Sequence, residues 1–479
     1  MRVRFAPSPT GYLHIGNART AVCNYLISRK NNAVLVLRIE DTDMERSSVE
    51  SERSILADLR WMGMDWQEGP DRGGDFGPYR QSERFDIYRE YSERLLAEGK
   101  AYHCYCSQDD LEAMRGEAQA AGRPFVYPGK CRNLSAGERQ KLEAEGRRPT
   151  IRFRVPDNET VVVDDLIKGR VVFNSENIGG DFIIVRSDGV PVYNYIVIID
   201  DALMNISHVI RGEDHLPNTP KQILIARALG LPVPQYAHLA LVLGPDRSKL
   251  SKRHGITSVD MYRREGYLPE ALFNYLSMLG WAAESGEEIM TADEIISQIE
   301  ISGLAKSAAV FDFQKLKWMN ANYIRNYPLD KITDLFLPYI REAGYDPDAV
   351  GREKLERIIA LVRGNCEILS EIRDIIGMFL DEIPQPDAEA DALLREEDSR
   401  TLIAAASRLI GTELNESNFA AELAPAIKRE TGFKGKKLFL PIRGMITGRL
   451  HGPELDQSLP LIGYELCKKR IESIKQQYT

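Results

Sequence analysis

The chain has 479 residues, of which 43% are hydrophobic and 28% are charged, a balance that excludes a disordered or fibrous protein. Its length suits about three domains, and no apolar run approaches the roughly 20 residues of a membrane span, so we expect no membrane association. The formal net charge of −9 excludes a uniformly basic protein but allows a local basic face for RNA.

The N-terminal residues and the cysteine content indicate where in the cell the protein is located. The first residues run directly into a strand-like segment, so we expect no signal or transit peptide. The six cysteines are sparse and unevenly spaced, which favours reduced thiols over a disulfide framework. We therefore expect a cytoplasmic protein.

The first forty residues follow a strand, loop, helix and strand pattern. Residues 3–5 predict a short strand, and two prolines and a glycine in residues 6–11 interrupt it. A helix fits residues 17–30, and the apolar run at 34–39 is typical of a strand buried on both faces. This predicts a Rossmann-like, doubly wound α/β domain, with its first half in residues 1–104.

The next part of the chain differs in pattern. Short β-rich runs at residues 161–163, 171–173 and 182–185 are separated by turns rich in Gly and Asp. We predict that residues 105–192 form an inserted α+β subdomain. The α/β pattern resumes near residue 193, so residues 193–254 are assigned to the second half of the α/β domain.

Beyond residue 255 the periodicity is helical. We predict a helical connecting domain over residues 255–325 and an all-helical module over 326–479, with a helix ending at Gly280 and a break at 382–387. Residues 428–449 are rich in Lys and Arg, with a single acidic residue. On charge alone, this stretch is equally an RNA-binding face or a solvated lysine-rich surface.

The segment His14-Ile15-Gly16-Asn17 follows the first strand and begins the first helix. Free N–H groups at a helix start attract phosphate, Gly16 leaves room for a flat adenine, and His14 can donate to a phosphate oxygen. Alone, the segment is better explained by a histidine that caps the helix and a glycine that packs closely.

A second segment, residues 244–253, is hydrophilic and rich in cations. Such a mobile loop can close over a triphosphate, where Lys249 and Lys252 would neutralise charge as pyrophosphate leaves. A basic loop alone is usually solvated surface. The two segments, in this order around a β-rich insertion, predict a split ATP site.

The two segments resemble the paired motifs of class I aminoacyl-tRNA synthetases. Further stretches, at residues 4–11, 38–43, 68–70, 79–82 and 311–320, resemble those of bacterial glutamyl-tRNA synthetases. The resemblance is specific to about residue 330 and looser beyond it. Asn17 and Leu250 depart from the commonest forms of the motifs, without removing the helix start or the lysines.

The resemblance implies a site for each substrate. Its ATP-binding residues are His14, Gly16, Asn17, Lys249, Leu250 and Lys252, of which His14, Lys249 and Lys252 are catalytic. Its glutamate-binding residues are Arg4, Ala6, Ser8, Glu40, Tyr193, Asn194 and Arg211. The chemistry agrees, because Glu40 can accept from an ammonium group, and Arg4 and Arg211 are permanent cations suited to a carboxylate. Without the resemblance, each arginine is as readily explained by a structural ion pair.

The implied reaction has two steps. L-Glutamate attacks the α-phosphate of ATP, with Mg²⁺ on the phosphate oxygens, and a terminal ribose hydroxyl of tRNA(Glu) then takes the glutamyl group. Neither step needs a protein nucleophile, so positioning and electrostatics carry catalysis. The resemblance also implies that tRNA binds before glutamate is activated.

A cysteine cluster is a candidate zinc site. Cys104, Cys106 and Cys131 are three potential thiolate ligands. Some relatives use a His two residues after the last cysteine, where this chain has Asn133; others use a Tyr four residues before it, which Tyr127 matches. Three reduced cysteines without metal are the alternative.

The helical C-terminal half fits an anticodon-binding module, with Arg363, Asn365, Lys434, Lys436 and Arg443 as candidate tRNA contacts. Relatives that discriminate between tRNAs often have an arginine near Asn365, so acceptance of tRNA(Gln) stays open. We expect a monomer. The alternatives are a small-molecule nucleotidyltransferase, which would not need this half, and a non-catalytic RNA-binding paralogue, which would not need the site residues.

Overall fold

The computed structural model describes residues 1–479, except for the side chain of Lys252. The chain forms two compact units: Met1–Arg263 with Leu272–Asp312, and Arg264–Ala271 with Phe313–Thr479. Within the described part of the chain, no helix is both long and apolar enough to cross a membrane.

The chain up to residue 312 alternates strands and helices. In order, the elements are β1 (Arg2–Phe5), α1 (Ile15–Lys30), β2 (Val34–Leu37), α2 (Val49–Trp61), α3 (Phe85–Ala97), β3 (Ala101–Cys104), α4 (Gln108–Ala120), α5 (Ala136–Ala144), β4 (Thr150–Phe153), β5 (Thr160–Asp165), β6 (Gly169–Asn174), β7 (Phe182–Val185), α6 (Tyr193–Leu203), β8 (His208–Gly212), α7 (Thr219–Leu229), β9 (Gln235–Leu239), β10 (Val242–Leu243), α8 (Val259–Glu265), α9 (Pro269–Met278), α10 (Ala292–Gln298) and β11 (Ala309–Val310). The five strands predicted from the sequence are confirmed, and the first helix begins two residues earlier than predicted.

Strand pairing joins the predicted insertion to the α/β half. β1 and β2 pair in parallel, with Arg2 opposite Val34. A separate sheet has the order β6-β5-β9-β8, in which β8 and β9 run parallel. Because β5 lies beside β9 and pairs with it at Asp165 and Tyr236, the end of β5 is fixed against the second half of the α/β domain. A third sheet, β3-β4-β7, is antiparallel.

Helix α1 is buried on most of its surface, in agreement with a doubly wound domain. It contacts β1, β2 and β8 on one side and α10 on another. Its apolar residues Ala18, Ala21, Val22 and Leu26 are buried and Tyr25 is half-buried, but polar residues are buried as well. Asn24 Nδ2 donates to the Ile210 carbonyl at 3.0 Å, which ties the helix to β8. This packing fixes the start of α1, where the first motif lies.

The second unit is helical. Its elements are α11 (Phe313–Asn326), α12 (Leu329–Glu342), α13 (Pro347–Val350), α14 (Arg352–Val362), α15 (Ile372–Ile375), α16 (Gly377–Leu380), α17 (Ala388–Leu394), α18 (Glu397–Leu409), α19 (Phe419–Thr431), α20 (Lys436–Thr447), α21 (Leu455–Ile462) and α22 (Tyr464–Tyr478). They share one apolar core that includes Phe336, Ile358 and Ile403. The predicted break at 382–387 is the loop between α16 and α17. The predicted helix end is also found, since α9 ends at Met278 and Gly280 follows with φ +82°.

Candidate active site

A cavity of about 820 Å³ in the first unit brings most of the predicted site residues together. Its lining includes Arg4, Ala6, Ser8, His14, Gly16, Asn17, Glu40, Tyr193, Arg211, Lys249 and Leu250. Asn194 lies behind this lining, where its Oδ1 accepts from Gln222 Nε2 at 3.0 Å. The side chain of Lys252, the remaining predicted residue, is outside the described part of the chain.

His14 is the N-cap of α1, and its Nδ1 accepts the Gly16 N–H at 3.2 Å. This bond requires an unprotonated Nδ1, so the neutral ring carries its proton on Nε2 and can donate there to a phosphate oxygen. A Cβ placed on Gly16 would have only His14 Nδ1 within 4 Å. The histidine therefore caps the helix, whereas Gly16 is not closely packed and lines the cavity.

Backbone pairing brings the two motif segments to the same cavity. Ile15 N–H donates to the Thr257 carbonyl at 2.9 Å, and Val259 N–H donates to the Leu13 carbonyl at 3.0 Å. The chain that follows the second motif is thus paired with the chain that leads into α1. The close approach of the two motifs is part of the backbone structure and needs no bound ligand.

The second motif is a hairpin. Leu250 N–H donates to the Val242 carbonyl at 3.1 Å, and Gly244 N–H donates to the Ser248 carbonyl at 2.8 Å. Leu250 is buried, whereas the Lys249 side chain is 66% exposed and forms an ion pair with Asp214, with Nζ 3.0 Å from Oδ2. Backbone hydrogen bonds therefore give the loop the form of a hairpin, and its first lysine has a carboxylate partner.

A buried ion network connects two predicted glutamate-binding residues. Asp201 Oδ1 accepts from Arg4 Nε at 3.1 Å and from Arg38 Nη1 at 2.8 Å, and Arg38 Nη2 donates to Glu40 at 3.2 Å. Burial opposes ionisation of Asp201, but the Arg4 and Arg38 cations outweigh it and hold the pKa of Asp201 below its ordinary value. Burial raises the pKa of Glu40 despite the same two cations. The network fixes Arg4 and Glu40 in the cavity wall.

Arg211 lies on β8 with its guanidinium in the cavity wall and is 4% exposed. Nη2 donates to Thr219 Oγ1 and to Gln222 Oε1, both at 2.9 Å. Nε donates to His238 Nε2 at 3.2 Å, and Nη1 lies 3.4 Å from the Tyr193 hydroxyl. All of these partners are neutral acceptors, so the buried cation keeps its capacity for an anion.

Several residues of the cavity region were not predicted from the sequence. Asp201, His238 and Gln222 hold the predicted arginines, and His215 lines the cavity. Burial, together with the Arg211 cation, lowers the pKa of His215 to about 4, so its ring is neutral at neutral pH. One signal was present: Asp200 and Asp201 are the charged residues of the otherwise uncharged and mostly apolar helix α6, and charge within such a helix indicates a buried partner.

The three predicted cysteine ligands converge. The sulfur atoms of Cys104, Cys106 and Cys131 all lie within 4.8 Å of one another. The Tyr127 hydroxyl lies 3.4 Å from both Cys104 Sγ and Cys106 Sγ, whereas Asn133 is exposed. Hydrogen bonds with Cys106 and Cys131 lower the pKa of the Cys104 thiol. Three sulfurs and one oxygen form a donor set that suits tetrahedral zinc.

The predicted tRNA contacts in the second unit differ in accessibility. Asn365, Lys434 and Lys436 are exposed. Arg363 is half-buried and donates to the Tyr327 carbonyl at 2.7 Å. Arg443 donates to the Pro453 carbonyl, and burial lowers its pKa. The exposed residues are therefore the ones that can meet a nucleic acid without rearrangement.

Comparison with known proteins gives two family matches. A family described as "tRNA synthetases class I (E and Q), catalytic domain" matches residues 1–318. A second, described as "Anticodon binding domain", matches residues 331–475. Together they cover both halves of the chain in the order predicted from the sequence.

Similar proteins match over the whole length. The chain is 46% identical to a protein named glutamate–tRNA ligase from Carboxydothermus hydrogenoformans, covering 99% of each chain. It is 48% identical to one from Sulfurihydrogenibium sp., covering 100% of this chain and 99% of the relative. A crystal structure of a glutamate tRNA ligase from Elizabethkingia meningosepticum, described as in complex with its amino acid, is 33% identical, with a TM-score of 0.88 and complete coverage of both chains.

Proposed function

Because the chain belongs to the glutamate–tRNA ligases, within the class I tRNA synthetases, we propose that the cavity in its first unit is where glutamate and ATP react. Members of this family use ATP to join glutamate to tRNA, and the chain does so too. The observation that carries the assignment of the site is the convergence of both motif segments and the two buried arginines on one cavity.

We assign the side-chain carboxylate of glutamate to Arg211. The buried guanidinium has only neutral acceptors among its hydrogen-bond partners in the described residues, and Arg4 and Tyr193 line the same cavity. Glutamine would leave this charge unpaired and desolvated, so the pocket would reject it. Glu40 and Ser8 are assigned to the α-ammonium group, because a carboxylate and a hydroxyl accept its hydrogen bonds.

In the first step, a glutamate α-carboxylate oxygen bonds to the α-phosphorus of ATP, and the bond from that phosphorus to the bridging oxygen of pyrophosphate breaks. His14 donates to a phosphate oxygen through Nε2, and the N–H groups at the start of α1 attract the phosphates. Lys249 leaves Asp214 and binds the pyrophosphate as charge develops on it. From the sequence alone, we propose that Lys252 also binds the pyrophosphate. Mg²⁺ would neutralise the phosphate oxygens directly.

In the second step, a ribose hydroxyl at the end of tRNA bonds to the activated glutamyl carbon, the proton leaves the hydroxyl, and AMP departs. The residues assigned to the site bind and orient, and none of them forms a covalent intermediate. We propose that tRNA binds before the first step. Full ATP–pyrophosphate exchange without tRNA would contradict it.

We propose that Cys104, Cys106, Cys131 and Tyr127 hold one structural Zn²⁺. The convergence of three sulfurs and one hydroxyl supports this, and three of the four side chains are nearly fully buried. The metal would link the end of β3 to the segment that follows α4, which lies far from it along the chain. It would hold this region together and take no part in the reaction.

Three parts of the chain are assigned to different parts of the tRNA. We propose that residues 105–192 bind the acceptor stem, residues 255–325 contact the stem, and residues 326–479 read the anticodon near Asn365, with Lys434 and Lys436 on phosphates. The protein would act as a monomer. We also propose a cytoplasmic location, because all six cysteines are free thiols.

One assay separates this function from its alternatives. The protein is incubated with ATP, labelled glutamate and either tRNA(Glu) or tRNA(Gln), and the acylated tRNA is measured. We expect acylation of tRNA(Glu), and the tRNA(Gln) arm decides whether Asn365 permits mischarging. A nucleotidyltransferase or a non-catalytic paralogue would acylate neither tRNA, which would overturn the proposal.

The assignment of Arg211 has its own test. R211A should lower kcat/KM for glutamate by about 100-fold or more while the KM for ATP is kept, because a desolvated charge pair is lost. R186A is the matched control, since Arg186 also lines the cavity but is 54% exposed and pairs with Asp188. Equal effects of the two substitutions would refute the assignment.

A further inference from the structure

A buried carboxylate, imidazole and guanidinium lie in series behind the cavity. Asp165 Oδ2 accepts from His238 Nδ1 at 2.6 Å, and Arg211 Nε donates to His238 Nε2 at 3.2 Å. Asp165 is 4% exposed, His238 0% and Arg211 4%. They come from three strands, β5, β9 and β8, which lie side by side in one sheet. The series leads from the predicted insertion to the arginine of the glutamate pocket.

We propose that Asp165 and His238 are positioning residues for glutamate selection: Asp165 fixes the His238 tautomer, and His238 then orients Arg211. The proposal rests on the proposed role of Arg211. Neither residue lines the cavity, so both act through Arg211 and not on the substrate.

The tautomer follows from the contacts. Asp165 accepts hydrogen bonds, so the His238 proton lies on Nδ1, and Nε2 has a lone pair directed at Arg211 Nε. The opposite tautomer would place two N–H donors against each other. Burial lowers the pKa of His238; the Asp165 hydrogen bond raises it and the Arg211 cation lowers it, with a net lowering that keeps the ring neutral.

The acceptor at Nε holds the end of the Arg211 guanidinium that its other hydrogen bonds do not reach. Thr219 and Gln222 hold the Nη2 end, and the contact of Nη1 with the Tyr193 hydroxyl is long, at 3.4 Å. The Tyr236 ring, with its centroid 5.2 Å from Arg211 Cζ, covers one face of the guanidinium, and the bond at Nε fixes the orientation of the guanidinium within its plane. A bidentate carboxylate ligand depends on that orientation, so the orientation affects glutamate more than ATP.

Asp165 also has a structural role, which the test must separate. Its Oδ1 accepts from the Ile167 and Lys168 N–H groups at 3.0 and 2.8 Å. Oδ2 also accepts from the His238 backbone N–H at 3.1 Å. In D165N, the amide oxygen can keep the turn bonds, while the NH₂ group donates to His238 Nδ1 and loses the bond from the His238 backbone N–H. The substitution therefore reverses the tautomer at the cost of one backbone hydrogen bond, a loss that occurs whichever residue stands at 238.

The decisive experiment is a double-mutant cycle in tRNA acylation at saturating tRNA. D165N should raise the KM for glutamate about 10- to 100-fold, with the KM for ATP within about twofold of wild type. D164N is the matched control, because Asp164 is the exposed neighbour on β5, and it should change neither KM. In an H238Q background, where the amide oxygen accepts from Arg211 whatever residue 165 is, D165N should add less than about twofold.

Two results would overturn the proposal: an unchanged KM for glutamate in D165N, or the same fold-change in both backgrounds, which would indicate a purely structural carboxylate. If D165N does not fold, H238Q and H238F are compared instead. H238Q should raise the KM for glutamate less than H238F, and equal values would count against the proposal. R211A separates the two proposals: an unchanged KM for glutamate in R211A would remove the assignment of Arg211, whereas a raised KM in R211A with an unchanged KM in D165N would remove only the positioning role of Asp165 and His238.

Discussion

Lys249 Nζ lies 3.0 Å from Asp214 Oδ2, so the lysine of the second motif is paired with a carboxylate of the cavity that it is proposed to serve. Both side chains are largely exposed, which makes the pair weak and easily exchanged for phosphate. It places the lysine beside the site before ATP arrives.

The first prediction concerns this pair. In D214N, Lys249 no longer has a competing anion, so the KM for ATP should fall about two- to fivefold at low salt, and the difference should shrink as salt screens the pair. Steady-state acylation at varied ATP measures it, with D86N as the control, because Asp86 is 92% exposed and pairs with Arg89. A rise in the KM for ATP would mean that Asp214 itself contributes to binding.

The second prediction concerns the network behind Arg4 and Glu40. D201N removes the charge that Arg4 and Arg38 share and should destabilise the protein by about 3–5 kcal/mol, because buried cations lose their partner. The KM for glutamate should rise as Arg4 and Glu40 lose their fixed positions. Denaturant unfolding with D188N, at an exposed site, is the comparison. Equal midpoints for the two variants would contradict a shared ion network.

The third prediction is a loss of stability in mild acid. The folded pKa of His215 is about 4, below the ordinary value of 6.5, and the pKa of the buried His238 is also lowered. Between pH 6.5 and about pH 4 the unfolded chain binds protons that the folded chain does not, so unfolding is increasingly favoured as pH falls through this interval.

Thermal melts across that interval test it. H215Q removes one of these groups and should flatten the dependence, whereas H451Q, at an exposed residue, should not. A melting temperature that does not change over the interval would show that the folded histidines take up protons as readily as the unfolded ones.

The fourth prediction concerns metal content. Protein purified without chelator should hold about one zinc per chain, C131S should hold close to none, and Y127F should lose zinc more readily to a chelator. Elemental analysis measures it, with C366S as the control for loss of a buried cysteine elsewhere. Zinc near zero in the wild type would leave three reduced cysteines and a tyrosine without metal.

The strands around the first motif, the helical second half and eleven residues of the cavity lining were predictable from the sequence. These were predictable because they depend on local pattern: a strand, a break and a helix place His14 at a helix start wherever the helix later packs. The paired motifs and the arginines are likewise readable as residue types, and Asn194 alone among the described pocket residues lies behind the lining.

The contacts of each buried charge, in contrast, depend on the fold. From the sequence alone, Arg4 and Arg211 could each form either a structural ion pair or a ligand site. In the structure, Arg4 forms an ion pair with Asp201, whereas the hydrogen-bond partners of Arg211 among the described residues are all neutral. His238 lies 27 residues from Arg211 and 73 from Asp165 along the chain. Hydrogen bonds act over about 3 Å, so strand order in the sheet, which no local pattern encodes, determines the partners of these buried groups.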